Sequence, residues 1–194
     1  MTSSGFDTAR RGDRALSMLE IQQLAHRFAR AHDSRDLDEM PRLFVAAEEP
    51  LRFPSFNAIN VLAVLPEYFN VAGPTVLFVA NHVIDFIDDD NASGDVYCLA
   101  KLDIDGTWVE QAILYRDVYR RDEGSWRFVS RCHLLWYGIE LPERPFAQPK
   151  TQWPVEATGR GSLPEDFASW RAFYRIAGPP TGYYGQPDIA SIEG

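Results

Sequence analysis

Four long segments rich in Val, Ile, Phe and Tyr dominate the second half of this chain, at 75–87, 95–104, 107–121 and 125–139. They stop at short turn-forming sequences, Asp88-Asp89-Asp90-Asn91, Asp105-Gly106 and Glu123-Gly124. Connections this short join strands as hairpins, because a parallel crossover needs a dozen residues or more. The spacing therefore predicts an antiparallel meander. Most of the segments exceed the usual strand length of about five or six residues, and long strands accumulate twist. The sheet they form has to bend strongly.

Upstream, the pattern is helical. Ile21, Leu24, Ala25, Phe28 and His32 recur at three- and four-residue spacing and mark one apolar stripe, on a helix expected from Ala15 to about His32. Residues 1–14 show no such period and read as a flexible arm. Asp33-Ser34-Arg35 breaks the helix. Asp36 with Glu39 then has the spacing of a capping box for a second short helix through Phe44, and a third is expected from Ile59 to about Phe69. After Leu141 the chain turns rich in Pro, Gln and Gly, with a short helix expected near 164–175 and an irregular tail from Gly178. Helices first and a bent meander afterwards make an α+β fold, a cone of N-terminal helices packed into a strongly curved antiparallel sheet, over 15–140.

Composition narrows the partners. The formal charge is −9 and the basic residues cluster no further than pairs such as Arg10-Arg11, so nucleic acid and anionic membranes would be repelled. No apolar run approaches the roughly 18 residues of a spanning helix, and the first residues lack a signal-peptide core. A cytoplasmic location is the expectation. Cys98 and Cys132 carry no metal-ligand spacing and read as two buried thiols. No nucleotide-binding motif occurs, so neither a cofactor nor a metal is expected.

Strict alternation along the last strand would place Trp126, Phe128, Cys132, Leu134 and Trp136 in the core and Arg127, Val129, Arg131, His133 and Leu135 on the opposite face. That second face is either solvated or lines a cavity. On the preceding strand, Gln111, Ile113, Tyr115 and Asp117 share a side.

Three stretches carry a family resemblance: Ala-His-Asp-Ser-Arg-Asp-Leu-Asp at 31–38, Asn-His-Val-Ile-Asp at 81–85, and Tyr-Arg-Asp-Val-Tyr-Arg-Arg-Asp-Glu-Gly-Ser-Trp-Arg-Phe at 115–128. Together they resemble the SnoaL-like group of the nuclear-transport-factor-2-like superfamily over about residues 15–140. That group includes dehydratases, a dehydrochlorinase, isomerases and small subunits of ring-hydroxylating dioxygenases. The resemblance implies an Asp–His base, with the Asp at Asp33 and a basic residue at Arg131. The usual strand His falls at Leu77, so the imidazole would have to come from His32 or His133, with His82 less well directed.

On this reading Asp33, His32, His133 and Arg131 are the candidate catalytic groups, and Tyr115, Gln111, Cys98 and Leu77 the candidate substrate contacts. The implied activity is a cofactor-independent lyase or isomerase acting on a hydrophobic polycyclic or terpenoid-like molecule. Asp33 would abstract a proton while Arg131 and Tyr115 stabilise the developing negative charge. Two other roles stay open: a non-catalytic ligand-binding or assembly member, and a structural subunit of a dioxygenase. A homodimer or homotrimer is the expected assembly.

Overall fold

A computed structural model describes residues 3–155, 159, 161–162 and 164–178, with 3–11 and 146 as backbone alone. The chain runs α1 (Ser3–Ser34), a 3-10 turn (Met40–Leu43), β1 (Ser55–Phe56), α2 (Asn60–Val71), β2 (Ala72–Phe86), β3 (Asn91–Ile104), β4 (Thr107–Asp122), β5 (Ser125–Glu140), a second 3-10 turn (Pro145–Ala147) and α3 (Ala168–Ala177). All five strands form one antiparallel sheet in the order β1-β5-β4-β3-β2. The fold is thus α+β, with the helices in the hollow of a bent sheet.

The hairpin turns follow from their residues. Asp105-Gly106 and Glu123-Gly124 all have positive φ, at 47°, 80°, 49° and 80°, the signature of the I′ turns that match the twist of paired strands. Asp88 caps the longer β2–β3 connection, its Oδ1 accepting from the backbone of Asp90 and Asn91. Ile21, Leu24, Phe28 and Ala31 of α1 are buried with Met40, Leu43, Phe44, Val61, Leu65, Phe69, Tyr119 and Phe128, the main core between helices and sheet.

Three expectations change. The flexible arm over 1–14 gives way to helix, since α1 starts at Ser3. An arm was expected because this part has no apolar stripe. Polar contacts hold it from about the third turn on: Arg121 reaches Ser17 Oγ at 2.7 Å and Asp13 at 3.7 Å. The capping box forms only in part. Asp36 Oδ1 accepts from the Glu39 amide at 3.0 Å, but Glu39 turns its own carboxylate to Arg27, and Pro41 limits the segment to a 3-10 turn. The irregular tail expected after Gly178 lies outside the described residues.

The third change matters most. On β5 the pairs run Val118↔Ser130 and then Tyr119↔Phe128, so Val129 is an extra residue, a β-bulge. Beyond it the alternation inverts. Trp126 and Phe128 point inward as expected, but Arg131 and His133 also point inward, while Cys132, Leu134 and Trp136 turn to the outer face; Trp136 is 63% exposed. Cys132 is therefore half-exposed rather than a buried thiol. A strict two-residue period cannot anticipate this, because one inserted residue swaps the faces of everything after it.

Sheet curvature also brings strands together closely. A Cβ added at Gly94 would lie 2.7 Å from the Val83 carbonyl and 3.1 Å from the Tyr119 ring. We expect Gly94→Ala to cost about 1–3 kcal/mol, as overpacking of cores does, read as a lower urea midpoint.

Candidate functional site

Inside the cone lies a cavity of about 450 Å³. Its floor and walls come from each element in turn: Phe28 and His32 from α1, Leu65 and Tyr68 from α2, Leu77 from β2, Ala100 and Leu102 from β3, Gln111, Ile113 and Tyr115 from β4, and His133 from β5. Phe53 stands on the loop before β1, and Phe56 on β1 itself, just ahead of the loop into α2. That loop is pinned by a reciprocal pair: Asn57 Oδ1 accepts from the amides of Ile59 and Asn60, and Asn60 Oδ1 accepts from the Asn57 amide at 2.6 Å.

At the end of α1, His32 and Asp33 are neighbours in sequence and in space. His32 Nδ1 lies 3.6 Å from Asp33 Oδ1, too long for a direct hydrogen bond. Thr75 of β2 spans the gap. Its hydroxyl donates to Asp33 Oδ1 at 3.1 Å and lies 3.2 Å from His32 Nδ1. Arg35 Nη1 donates to the Thr75 hydroxyl oxygen at 2.9 Å. A threonine hydroxyl has one proton and two lone pairs. With the proton given to Asp33, one lone pair is taken by Arg35 and the other is left for an Nδ1–H of His32. This pattern assigns the Nδ1-protonated tautomer and leaves Nε2 with a lone pair.

The environment of His32 keeps it neutral. The ring is 7% exposed and packs edge-on against Phe69 at 5.0 Å and near Tyr68 at 5.8 Å. Burial holds it below the ordinary value of 6.5, opposed by Asp33 and assisted by the Arg35 charge. His133, T-shaped against Tyr115 at 5.5 Å, is also lowered by burial, and a charge on His32 or Arg131 would lower it further. Tyr68 and Tyr115 are raised by burial, Tyr68 to about 12, so both phenols are donors at neutral pH.

The structure brings together His32, His133, Tyr115, Gln111 and Leu77 around one cavity and leaves three other expected site residues outside it. Asp33 does not line the cavity wall. Its carboxylate sits behind His32, with Oδ2 accepting from the Leu77 amide at 3.0 Å, and it faces a second hollow of about 470 Å³ bounded by Arg30, Val76, Phe78, Pro164 and Phe167. Consecutive helical residues point about 100° apart, and here that turns His32 to the cavity and Asp33 to its flank. Cys98 is 3% exposed and packed with Val96, Ala100 and Ile113; burial raises its thiol to about 12. It backs the wall without lining it.

Arg131 is the clearest correction. Rather than being free to meet negative charge on a substrate, it donates to both oxygens of Asp117, Nε at 2.9 Å and Nη2 at 2.8 Å. The pair is sealed, with side chains 1% and 0% exposed, and the guanidinium lies over Phe28, Tyr115 and Phe128 at 4.6, 4.3 and 4.5 Å. Tyr119 donates to Asp117 at 2.8 Å, and His82 Nε2 meets the Tyr119 hydroxyl at 3.0 Å. His82 thus belongs to this core network and not to the cavity.

Sequence reasoning missed Thr75, Tyr68 and Arg35. Arg35 has φ 58° and follows the last turn of α1, where the Asp36 amide donates to the Ala31 carbonyl at 2.9 Å and the Arg35 amide to the His32 carbonyl at 3.2 Å. This is a Schellman-type cap, usually built on glycine; a glycine at position 35 would have been the readable signal.

The sequence profile described as a SnoaL-like domain matches residues 13–132, and the chain belongs to that family. Among curated proteins none matches. Among solved structures, a type 2 hexachlorocyclohexane dehydrochlorinase superposes with a TM-score of 0.64 at 20% identity, covering 71% of this chain and 97% of that one. A candidate scytalone dehydratase from Novosphingobium aromaticivorans gives 0.61 at 17%, covering 69% and 93%. A type 3 hexachlorocyclohexane dehydrochlorinase from Novosphingobium barchaimii gives 0.60 at 18%, covering 71% and 98%. At these identities the likeness speaks for the fold.

Because Arg131 neutralises a buried carboxylate, Arg131→Met should cost about 3–5 kcal/mol, the usual penalty for breaking a buried pair. A denaturation curve measures it. A loss under about 1 kcal/mol would mean that Asp117 finds another partner.

Proposed function

We propose that the protein is a cofactor-independent lyase or isomerase that removes a proton from carbon, next to a carbonyl or a leaving group, in a hydrophobic polycyclic or terpenoid-like molecule. The observation that carries this is the His32–Thr75–Asp33 cluster, set against a mostly apolar cavity that His32 lines, and we take the Nε2 lone pair of His32 as the base. The base moves from the carboxylate to the imidazole, and Asp33 acts through the Thr75 hydroxyl that lies between it and Nδ1, its charge stabilising the imidazolium that forms. Family membership and the fold shared with a dehydrochlorinase and a candidate dehydratase support the same class of reaction.

The remaining polar groups suit such a step. Tyr68 and Tyr115 offer neutral phenol donors for the oxygen or halide on which negative charge develops. Gln111 and His133 lie across the cavity and can orient a second polar substituent. The walls, made of Phe28, Phe53, Phe56, Leu65, Leu102 and Ile113, fit a rigid apolar skeleton and disfavour a sugar or a nucleotide. We also propose the outer face of the sheet, where Phe78, Tyr97 and Trp136 are exposed, as the contact between copies in a homodimer or homotrimer. Among the described residues no helix is long and apolar enough to cross a membrane.

The test is proton exchange. Cyclic ketones and halogenated or hydroxylated cyclic terpenoids are incubated with the protein in D2O and followed by NMR for deuterium at the carbon beside the functional group, or for elimination. His32→Gln should lower the rate about 10²–10⁴-fold, the range for loss of a general base, and Asp33→Asn should lower it while leaving ligand affinity nearly unchanged. Exchange that persists in His32→Gln would assign the base elsewhere, and binding without exchange in the wild type would make this a ligand-binding member.

The pH dependence has a definite sign. The base acts when deprotonated, and burial lowers its folded value. The rising limb of the rate should therefore lie below pH 6.5, the ordinary imidazole value, with full activity through neutrality. The same shift makes folding stability fall as the pH drops below about 6.5, since the unfolded chain then binds the extra proton.

A further inference from the structure

The chain continues well beyond the family match, which ends at residue 132, and one of those later elements returns to the site from behind. Helix α3 lies against the junction where α1 ends and β2 begins. Its first turn is anchored by Ser169 Oγ, which donates to the Ser34 carbonyl at 2.7 Å. Trp170 and Tyr174, one turn apart, are 1% and 3% exposed. The Tyr174 hydroxyl sits 2.9 Å from the Phe69 carbonyl and 2.8 Å from the Ala72 carbonyl, clipping the end of α2 to the start of β2.

Between these elements lies the side chain of Arg35. Its guanidinium is sandwiched by Phe69 at 4.1 Å and Trp170 at 4.5 Å, and Nε meets the Tyr174 hydroxyl at 3.4 Å. The remaining donors point at the site: Nη1 to the His32 carbonyl at 2.8 Å and to Thr75 Oγ1 at 2.9 Å, and Nη2 to the Gly73 carbonyl at 2.5 Å. No carboxylate pairs with Arg35 among the described salt bridges. A buried cation is costly unless its donors are satisfied, and here the satisfaction comes from carbonyls, one hydroxyl and two aromatic faces. A residue buried in this way has a fixed position, and so has the Thr75 oxygen on which it donates.

We propose that Arg35, held by Trp170 and Tyr174 of α3, is a positioning residue that sets the tautomer of His32 through Thr75, so that the C-terminal extension is a working part of the site. The logic is hydrogen-bond polarity. While Arg35 occupies one lone pair of Thr75, the hydroxyl proton lies in the direction of Asp33, and the second lone pair faces His32 Nδ1. Without that donor the hydroxyl can rotate and give its proton to Nδ1, which selects the opposite tautomer and puts a hydrogen on Nε2. The cavity would then present a donor where a base is required. The Arg35 charge also disfavours imidazolium in the resting protein. The proposal rests on the reading of His32 as the base, yet its first consequence is physical and can be seen without any substrate.

The experiment is a pH titration of ¹⁵N-labelled imidazole groups by NMR on the whole chain, with His32 assigned by its loss in His32→Gln. Ring nitrogen shifts report tautomer and protonation separately. In the wild type, His32 should show the Nδ1–H form and titrate below 6.5, the ordinary imidazole value. In Arg35→Met and in Trp170→Ala, the nitrogen shifts should move to a mixture of the two tautomers, with the titration of His32 moving upward. Trp170→Phe, which keeps an aromatic face on the guanidinium, should restore the wild-type pattern. Circular dichroism and the melting temperature identify variants that fail to fold, and Tyr174→Phe, a milder change that removes only the hydroxyl, gives an independent reading.

A folded Arg35→Met or Trp170→Ala whose His32 keeps the wild-type tautomer and titration would overturn the proposal and leave α3 a stabilising strut. That outcome differs from failure of the base assignment. In that case deuterium exchange survives in His32→Gln whatever the nitrogen shifts show.

Discussion

The ion pair between Arg131 and Asp117 sits where α1, β4 and β5 meet, and the rest of the cone is arranged around keeping it dry. Removing two such charges from water costs several kcal/mol per ion before their attraction is counted. The offset here has three parts: two parallel hydrogen bonds, a third donated by Tyr119, and aromatic faces from Phe28, Tyr115 and Phe128 around the guanidinium. All of them require Arg131 to point inward. Val129 makes that possible, because the bulge changes the phase of β5 just before residue 131. The same phase change carries His133 into the cavity. One inserted residue thus fixes both the core pair and a polar group of the site.

The cavity and the carboxylate behind it are organised by a different junction. α1 stops at Ser34, Arg35 takes a left-handed conformation, and the chain turns so that the Arg35 side chain runs back under the helix end it has just left. A left-handed conformation costs a non-glycine residue about 1–2 kcal/mol. The hydrogen bonds of the guanidinium and its two aromatic neighbours offset that cost. This arrangement joins the end of α1, the end of α2, the start of β2 and α3, and it does so where the His32 imidazole and the Asp33 carboxylate lie side by side.

Much of the frame was legible in the residues. Gly106 and Gly124 announced the hairpins, the stripe from Ile21 to His32 announced the packed face of α1, and strand length announced the bend. These are local signals, and each is read from a few neighbouring positions. What could not be read depends on contacts between distant segments. The bulge at Val129 has no glycine to mark it, so strict alternation sent Cys132 inward and Arg131 to a mixed face. That Arg131 is sealed in an ion pair could not be read because its partner Asp117 lies on another strand. Asp33 was placed in the cavity by resemblance, whereas helical geometry puts His32 there. Thr75 carries no signature beyond an ordinary strand threonine, and its importance arises only when three groups converge on one oxygen.

The contact between Asp33 and residue 77 has a consequence for how such a site can change over time. The carboxylate is held by the amide of Leu77, and an amide is present whatever side chain follows it, proline apart. Replacement at this position can therefore add or remove an imidazole on β2 without disturbing the acid beside it. Meanwhile the residue before Asp33, one step along the helix, supplies a ring from the other side. A lineage could pass through a stage with both imidazoles and discard either, with the backbone unaltered throughout. On the reading proposed above, the imidazole of such a site can sit on the strand or on the helix, and the backbone contact that holds Asp33 is the same in both cases.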